Sequence, residues 1–389
     1  MPKVMSMLAE ETGGKSYKAH KYSLDVAERP SLDYGEGTPT IQWKETAETT
    51  LLRSYKDISS LCKMIDTEND QILTYFLDGS RRVFKVDDMA YSPSGKRSVI
   101  YPIVAGQIGV ACCKRVNKRM QAEKYKGEVV LSIPDIANIN RKQAFFPAMA
   151  KKLNKSEDLK RIGLSFSTIL PYKTKKEIDE KYEDLATAKI HARMMENEKE
   201  LVAELVREDK LNQNNYLIKD GSLEYRPSKE DKADKKKYQT FKNNYNWVLG
   251  ASKNFNPEIC VDVNKKPNPG FIADLPLYHR TPVARYSNSE YFGDIQFAVW
   301  YIRLRDKNKT RTPFDGVLKI EKILVTEDEV ENGINSSLVD ILSAYIINER
   351  NPVCYGSDLR WANHIYPVYL TESFVKSKYL SIESFLHIF

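Results

Sequence analysis

Two short apolar runs that end in the same tripeptide constrain this chain more than any other feature. Ile72–Leu77 leads into Asp78-Gly79-Ser80, and Tyr216–Lys219 leads into Asp220-Gly221-Ser222. Each run is β-prone and closed by turn residues, which predicts two buried strands that deliver a carboxylate at their ends. The glycine after each aspartate lets a backbone, a metal or a phosphate approach closely. Asp78 and Asp220 on neighbouring strands can hold a divalent cation through hard oxygen ligands. A single Asp-Gly is usually only a turn; its recurrence after matched apolar lead-ins is what gives it weight.

The composition bounds the rest. The 389 residues suffice for one large domain or two ordinary ones, and 41% hydrophobic residues is the content of a globular chain. Sixty basic against 53 acidic residues leaves a net charge of +7, which permits a nucleic-acid partner without demanding one. The cysteines at 62, 112, 113, 260 and 354 form no CxxC and no paired spacing, so neither a zinc site nor a disulfide framework is expected, and a reducing cytoplasm is. No apolar run reaches the roughly 18 residues of a membrane span, and Met1-Pro2-Lys3-Val4 lacks a signal-peptide core.

In chain order, residues 1 to 45 read as an extended arm with one short strand at Thr40–Trp43, followed by a helix from Thr46 to Met64. The first Asp-Gly-Ser strand then pairs with Arg82–Val86, Ser92-Pro93-Ser94-Gly95 turns, and Val99–Cys113 completes a meander. Residues 114 to 170 are basic and irregular, with short strands at Val129–Ile133 and Ile162–Phe166. Lys151, Lys152 and Lys155 there mix with Phe145 and Phe146 as in a single-stranded nucleic-acid groove or, more commonly, a solvated loop. Lys175–Arg207 is the longest helix, with Arg193, Glu196, Glu200 and Glu204 on one face. After the second Asp-Gly-Ser strand come the lysine run Lys235-Lys236-Lys237 and a strand, Trp247–Lys253, whose terminal Lys253 suits a phosphate. Strands at Pro282–Tyr286, Ile295–Leu304 and Val317–Leu324, a helix at Leu338–Asn348, a short helix at Leu359–His364 and an aromatic tail complete the chain. The domains expected are an N-terminal arm and helix (1–66), a catalytic domain (67–370) with insertions near 114–170 and 228–242, and a C-terminal tail (371–389).

Three strands, a helix, a strand, a helix and a strand are the order of the ribonuclease H-like fold. The fold class predicted is therefore α/β, a mixed sheet flanked by helices with β-rich and basic additions. The chain also resembles the NurA-type nucleases. The residues that carry the resemblance are Leu77–Ser80, Arg193–Glu196, Ile218–Leu223, Leu249–Lys253, Val299–Leu304 and Tyr355–His364. It implies a DNA nuclease using manganese (or magnesium), a homodimer, and a HerA-type hexameric ATPase partner in DNA end processing or phage defence. Carried over, Asp78, Asp220 and Glu196 or Glu200 ligate metal and Lys253 contacts phosphate. Tyr355 and His364 complete the site, with Asn363 an alternative for the last position. The family's Tyr-Pro is here Tyr355-Gly356. Two other readings stand beside it: a catalytically weak DNA-binding adaptor of the same fold, and a ribonuclease H-like enzyme acting on RNA.

Overall fold

The computed structural model describes residues 3–16, 20–25, 41–65, 71–92, 98–175, 180–223, 235–261, 266–287, 295–352 and 361–389. Five strands position the site: β1 (Leu73–Tyr91), β2 (Val99–Val116), β3 (Arg119–Pro134), β4 (Tyr216–Asp220) and β5 (Val248–Ser252). They lie side by side in the order β3-β2-β1-β4-β5. The first three form an antiparallel meander, whereas β4 runs parallel to β1, and β5 parallel to β4. A parallel neighbour needs a crossover, and the helix α1 (Tyr182–Arg207) lies between β3 and β4 in the chain. Beyond β5 the sheet continues through Val317–Ile323, Gln296–Arg303, Ala284–Ser287, Ile41–Thr46 and Cys260–Val261. Beyond β3 it continues into Thr168–Tyr172.

Helices cover both faces. Ile190, Met194, Leu201 and Leu205 of α1 pack with Leu77, Val104, Ile108 and Val110 on one face. Phe76, Ile218, Leu249 and Ala251 face the other way, in a cluster with Leu342 and Ile346 of the helix Ser336–Asn348 and with Val368 of α2 (Tyr366–Ser377). Successive strand residues alternate between faces, so odd-numbered residues of β1 near Leu77 look toward α1 and even-numbered ones toward α2.

Several expectations are corrected. Asp78-Gly79-Ser80 is not a turn: β1 runs unbroken through it, and each of the three pairs with β2, at Ala111, Val110 and Gly109. Two separate strands become one because β2 is long enough to pair along the whole of it. The expected helix over 46–64 shrinks to Ser59–Met64. The Ala47 and Thr49 amides instead donate to Val283 and Ile334 carbonyls at 3.0 Å each, and buried Glu48 accepts from Arg280 Nη2 at 2.8 Å. The basic segment after 114 supplies β3, the meander's third strand. Ile162–Phe166 forms no strand; the Asn154 side chain bonds both Phe166 N and Phe166 O, at 2.8 and 2.9 Å, and the strand falls at Thr168–Tyr172 instead. The expected turn at 92–95 lies mostly outside the described residues.

Candidate functional site

Strand register builds the site. Leu77 pairs with Lys219, Lys219 with Gly250, and Asp220 with Ala251. Asp78 and Asp220 therefore stand at the same level, where β4 ends and β1 continues. Alternation sends both side chains, and Lys253 just past β5, to the α2 face.

Lys253 Nζ lies 2.8 Å from Asp220 Oδ2, with side chains 10% and 19% exposed. Asp78 is only 5% exposed. Among the described residues no hydrogen bond or ion pair is found for its carboxylate; its surroundings act through burial and charge. Burial, then Asp220 and Glu372, push its carboxyl well above the ordinary range, opposed by Lys253, with Glu198 adding a smaller push upward. Burial also works against the Lys253 ammonium, but Asp220, Glu372 and Asp78 outweigh it and hold its pKa above the usual lysine value.

The α1 face carries the supports. Lys219 Nζ lies 3.1 Å from Glu198 Oε2 and donates to the Asp220 carbonyl at 2.9 Å and the Ser222 carbonyl at 3.3 Å. Glu321 Oε2 accepts from Ser222 Oγ and Leu223 N, both at 2.7 Å. Gly221, at φ +83°, donates its amide to Ala251 O at 2.9 Å; this left-handed backbone is what glycine supplies there. The loop after Asp220 is thus tied down from its own strand, from β5 and from the strand Val317–Ile323.

The predicted residues divide. Asp78, Asp220 and Lys253 come together. Glu196 and Glu200 do not join them: Glu196 pairs with Arg193 at 3.1 Å, Glu200 with Lys126 of β3, and their side chains are 59% and 48% exposed. They belong to the charged outer stripe of α1, which meets Lys124, Lys126 and Glu128 of β3. Asn363 is a backbone clamp, its side chain accepting from Gly316 N at 2.6 Å and donating to Lys253 O at 3.1 Å and Val317 O at 2.8 Å. His364 is 1% exposed, its ring 6.1 Å from that of Tyr369. Tyr355 lies outside the described residues. Lys235-Lys236-Lys237 opens the helix Lys235–Asn244, and Lys236 is exposed. The aromatic tail packs on its own chain: Phe385 is 0% exposed and 5.5 Å from the Phe84 ring, and Phe389 is 6.0 Å from Phe166.

Glu198 and Glu372 were missed, and both had a signal. Glu198 falls in phase with Ile190, Met194, Leu201 and Leu205, and Glu372 with Val368, Thr371 and Val375. An acid inside an apolar helical stripe is directed inward.

Among the described residues no helix is long and apolar enough to cross a membrane. No family model and no curated protein matches this chain. Among solved structures it is similar to the NurA nuclease from Sulfolobus solfataricus, at a TM-score of 0.38 and 11% identity, over 82% of this chain and 86% of that one. Likeness at that level leaves the functional argument to this chain's own residues.

Proposed function

We propose that this chain is a divalent-cation-dependent phosphodiesterase of ribonuclease H-like architecture that cuts DNA. The strand order β3-β2-β1-β4-β5 with α1 as crossover supports the architecture. One observation carries the chemistry: Asp78 is buried, with no hydrogen bond to its carboxylate among the described residues, beside Asp220 and Lys253. A buried carboxylate facing other carboxylates is costly unless a cation neutralises it.

The donor set fits a small hard cation, Mn²⁺ or Mg²⁺. Among the described residues no three His, Cys, Asp or Glu side chains form a protein-only cage. Such ions commonly take one or two carboxylates and complete their shell with waters and substrate phosphate. Asp78 and Asp220 would hold the ion. When bound, it supplies a Lewis acid at the phosphate and lowers the pKa of a water. Lys253 balances Asp220 and offers a point charge to a phosphate. Lys219, Glu198 and Glu321 hold the loop after Asp220 rigid, so that the carboxylate geometry is preset.

The finer assignments rest on the sequence resemblance: manganese, a homodimer, a HerA-type ATPase partner, end processing or phage defence, a cytoplasmic location, and a role for Tyr355 and His364. An adaptor without catalysis is the second reading, and the Lys253–Asp220 ion pair favours it, because a cation already sits on one of the two aspartates. Labelled single- and double-stranded DNA and RNA, incubated with the purified chain and Mn²⁺, Mg²⁺ or chelator, separate the readings. The proposal expects cation-dependent DNA cleavage. Salt-sensitive binding without cleavage identifies the adaptor, and cleavage of RNA alone overturns the DNA assignment. Replacing Lys235, Lys236 and Lys237 with alanine flattens the log-affinity against log-salt slope by about 0.7–0.9 for each phosphate contact they make.

A further inference from the structure

Two arginines stand where the strands beyond Lys253 end. The strand Gln296–Arg303 runs out beside the start of Val317–Ile323, whose Lys319 pairs with Ser252 of β5. Arg303 and Arg305 lie there and have opposite surroundings. Arg303 donates to the Ala273 and Pro313 carbonyls at 2.9 and 2.8 Å, and Asp274 and Asp306 act on its charge. The stem of Arg305 is fixed, since a side chain at Gly316 would strike its Cβ at 2.6 Å, and its guanidinium lies 5.4 Å over the Trp361 ring. Yet its Nε and Nη2 are shut from solvent with no acceptor among the described residues. Burial, then the charge of Arg350, hold its pKa below the ordinary arginine value, and Tyr278 opposes them.

Backbone contacts close a ring around the pair. The Arg350 guanidinium lies 5.0 Å over the Tyr278 ring, and the Tyr278 amide donates to Arg303 O at 3.1 Å. On the other side Asn351 N donates to His364 O at 3.0 Å, and His364 N to Trp361 O at 3.2 Å. Glu349, the acid next to Arg350, is taken by Arg115. Tyr278 sits at φ +56°, with Ile58 N donating to its carbonyl at 3.1 Å. A left-handed backbone at an aromatic residue persists only where its surroundings enforce it. The turn that begins at Trp361 also contains Asn363, which donates to Lys253 O at 3.1 Å.

We propose that Arg305 and Arg350 form an oxyanion site that takes one backbone phosphate of a bound nucleic-acid strand. The site stands on its own geometry; that its phosphate belongs to DNA rests on the phosphodiesterase reading above. A guanidinium is always charged, weakly hydrated and forked, which suits bidentate contact with phosphate. Trp361 and Tyr278 hold the two planes from behind. Two cations together repel, and buried donors without an acceptor are costly; a single phosphate answers both. Through Asn363 the pair adjoins Lys253, on the side away from Asp78. It therefore meets the strand beyond the phosphate that Lys253 faces.

Two measurements on the full chain in chelator test this without recourse to activity. One is the melting temperature in inorganic phosphate against chloride at equal ionic strength. The other is fluorescence anisotropy of a labelled single-stranded oligonucleotide across a salt series. Phosphate is expected to raise the melting temperature of the unaltered chain more than chloride does, and Arg305→Met and Arg350→Met are expected to lose that excess. Arg305→Met is expected to weaken oligonucleotide binding at least about tenfold, the scale of one charge-assisted contact. It should also flatten the log-affinity against log-salt slope by about 0.7. The double variant is expected to flatten it by no more, because the two arginines share one phosphate. Arg305→Lys, which keeps the charge without the fork, is expected to bind more weakly at an unchanged slope. Unchanged affinity and slope in Arg305→Met overturn the inference, and Mn²⁺-dependent cleavage by the unaltered chain would then leave the phosphodiesterase reading standing. A slope loss twice as large in the double variant overturns the shared site. A chain that binds the strand through Arg305 but cuts nothing with Mn²⁺ or Mg²⁺ upholds the inference and overturns that reading. Should Arg305→Met not fold, Arg350→Met decides: weakened binding with the flattened slope supports the site, and unchanged binding overturns it.

Discussion

Lys253 Nζ rests 2.8 Å from Asp220 Oδ2, while Asp78 on the neighbouring strand has no hydrogen bond or ion pair among the described residues. Among the described residues, one aspartate of the pair has a cationic partner and the other has none. On the function proposed above, Asp78 is where a divalent cation would be neutralising, since a buried carboxylate beside another is costly alone.

Asp78→Asn is expected to abolish cleavage and at the same time stabilise the cation-free chain. The amide keeps the carboxylate's shape and removes a buried charge that Asp220 and Glu372 oppose. Relief of this kind at a functional site is commonly worth about 1 kcal/mol. Thermal melts near neutral pH in chelator, beside a cleavage assay, check both halves. A variant that cuts at the normal rate removes Asp78 from the chemistry.

Lys253→Met is expected to destabilise the cation-free chain by about 3 kcal/mol, because it leaves Asp220 and Asp78 without their shared cation in a site mostly closed to water. Millimolar Mn²⁺ is expected to restore more of the melting temperature in this variant than it adds to the unaltered chain. Equal increments in the two would show that Lys253 and the metal ion do not answer the same charge.

Gly79→Ala places a methyl group against the Glu198 carboxylate, which is held by Lys219 at 3.1 Å. Moving the Glu198 carboxylate away strains that ion pair. A cost of about 1–3 kcal/mol is expected, the range for overpacking. Combining it with Glu198→Ala removes the collision, so the double variant is expected to be more stable than the sum of the two single effects predicts. Simple additivity would mean that the glycine is not kept small for Glu198.

Cys260 supplies a pH dependence. Burial pushes its thiol up to about 12 from an ordinary 9.0. The unfolded thiol ionises near 9.0 while the folded one stays neutral, so stability is intact below that pH and is lost as pH rises from about 9 toward about 12. At about pH 10.5 the loss from this one group is about 2 kcal/mol. Melting curves of the unaltered chain and of Cys260→Ala should converge as pH rises. Parallel curves would show that the thiol ionises as readily folded as unfolded.

Much of this was legible in the chain. The paired Asp-Gly-Ser runs identified Asp78, Asp220 and the strands behind them, because a buried strand needs an apolar run and a run of that length admits few other structures. The strand at Val248–Ser252 and the helix α1 were equally plain. The break expected after Asp78 was not there, because turn residues bend a strand only where no partner holds it straight, and β2 pairs with β1 on both sides of Gly79.

By itself the sequence determined that the two matched runs are buried strands, which helix carries a charged stripe, and that two matched aspartates follow the runs; these are local properties of pattern and propensity. Tertiary structure alone decided which face each acid meets. Glu196 and Glu200 had the spacing of ligands, yet the rotation of α1 on the sheet turns them toward Lys126 and Arg193 and sends Glu198, two residues from each, toward Lys219 and Gly79. Glu372 reaches the site because α2 lies across strands nearly three hundred residues earlier in the chain. Helix phase is written locally, but it is fixed only when the apolar stripe chooses the surface on which it is buried.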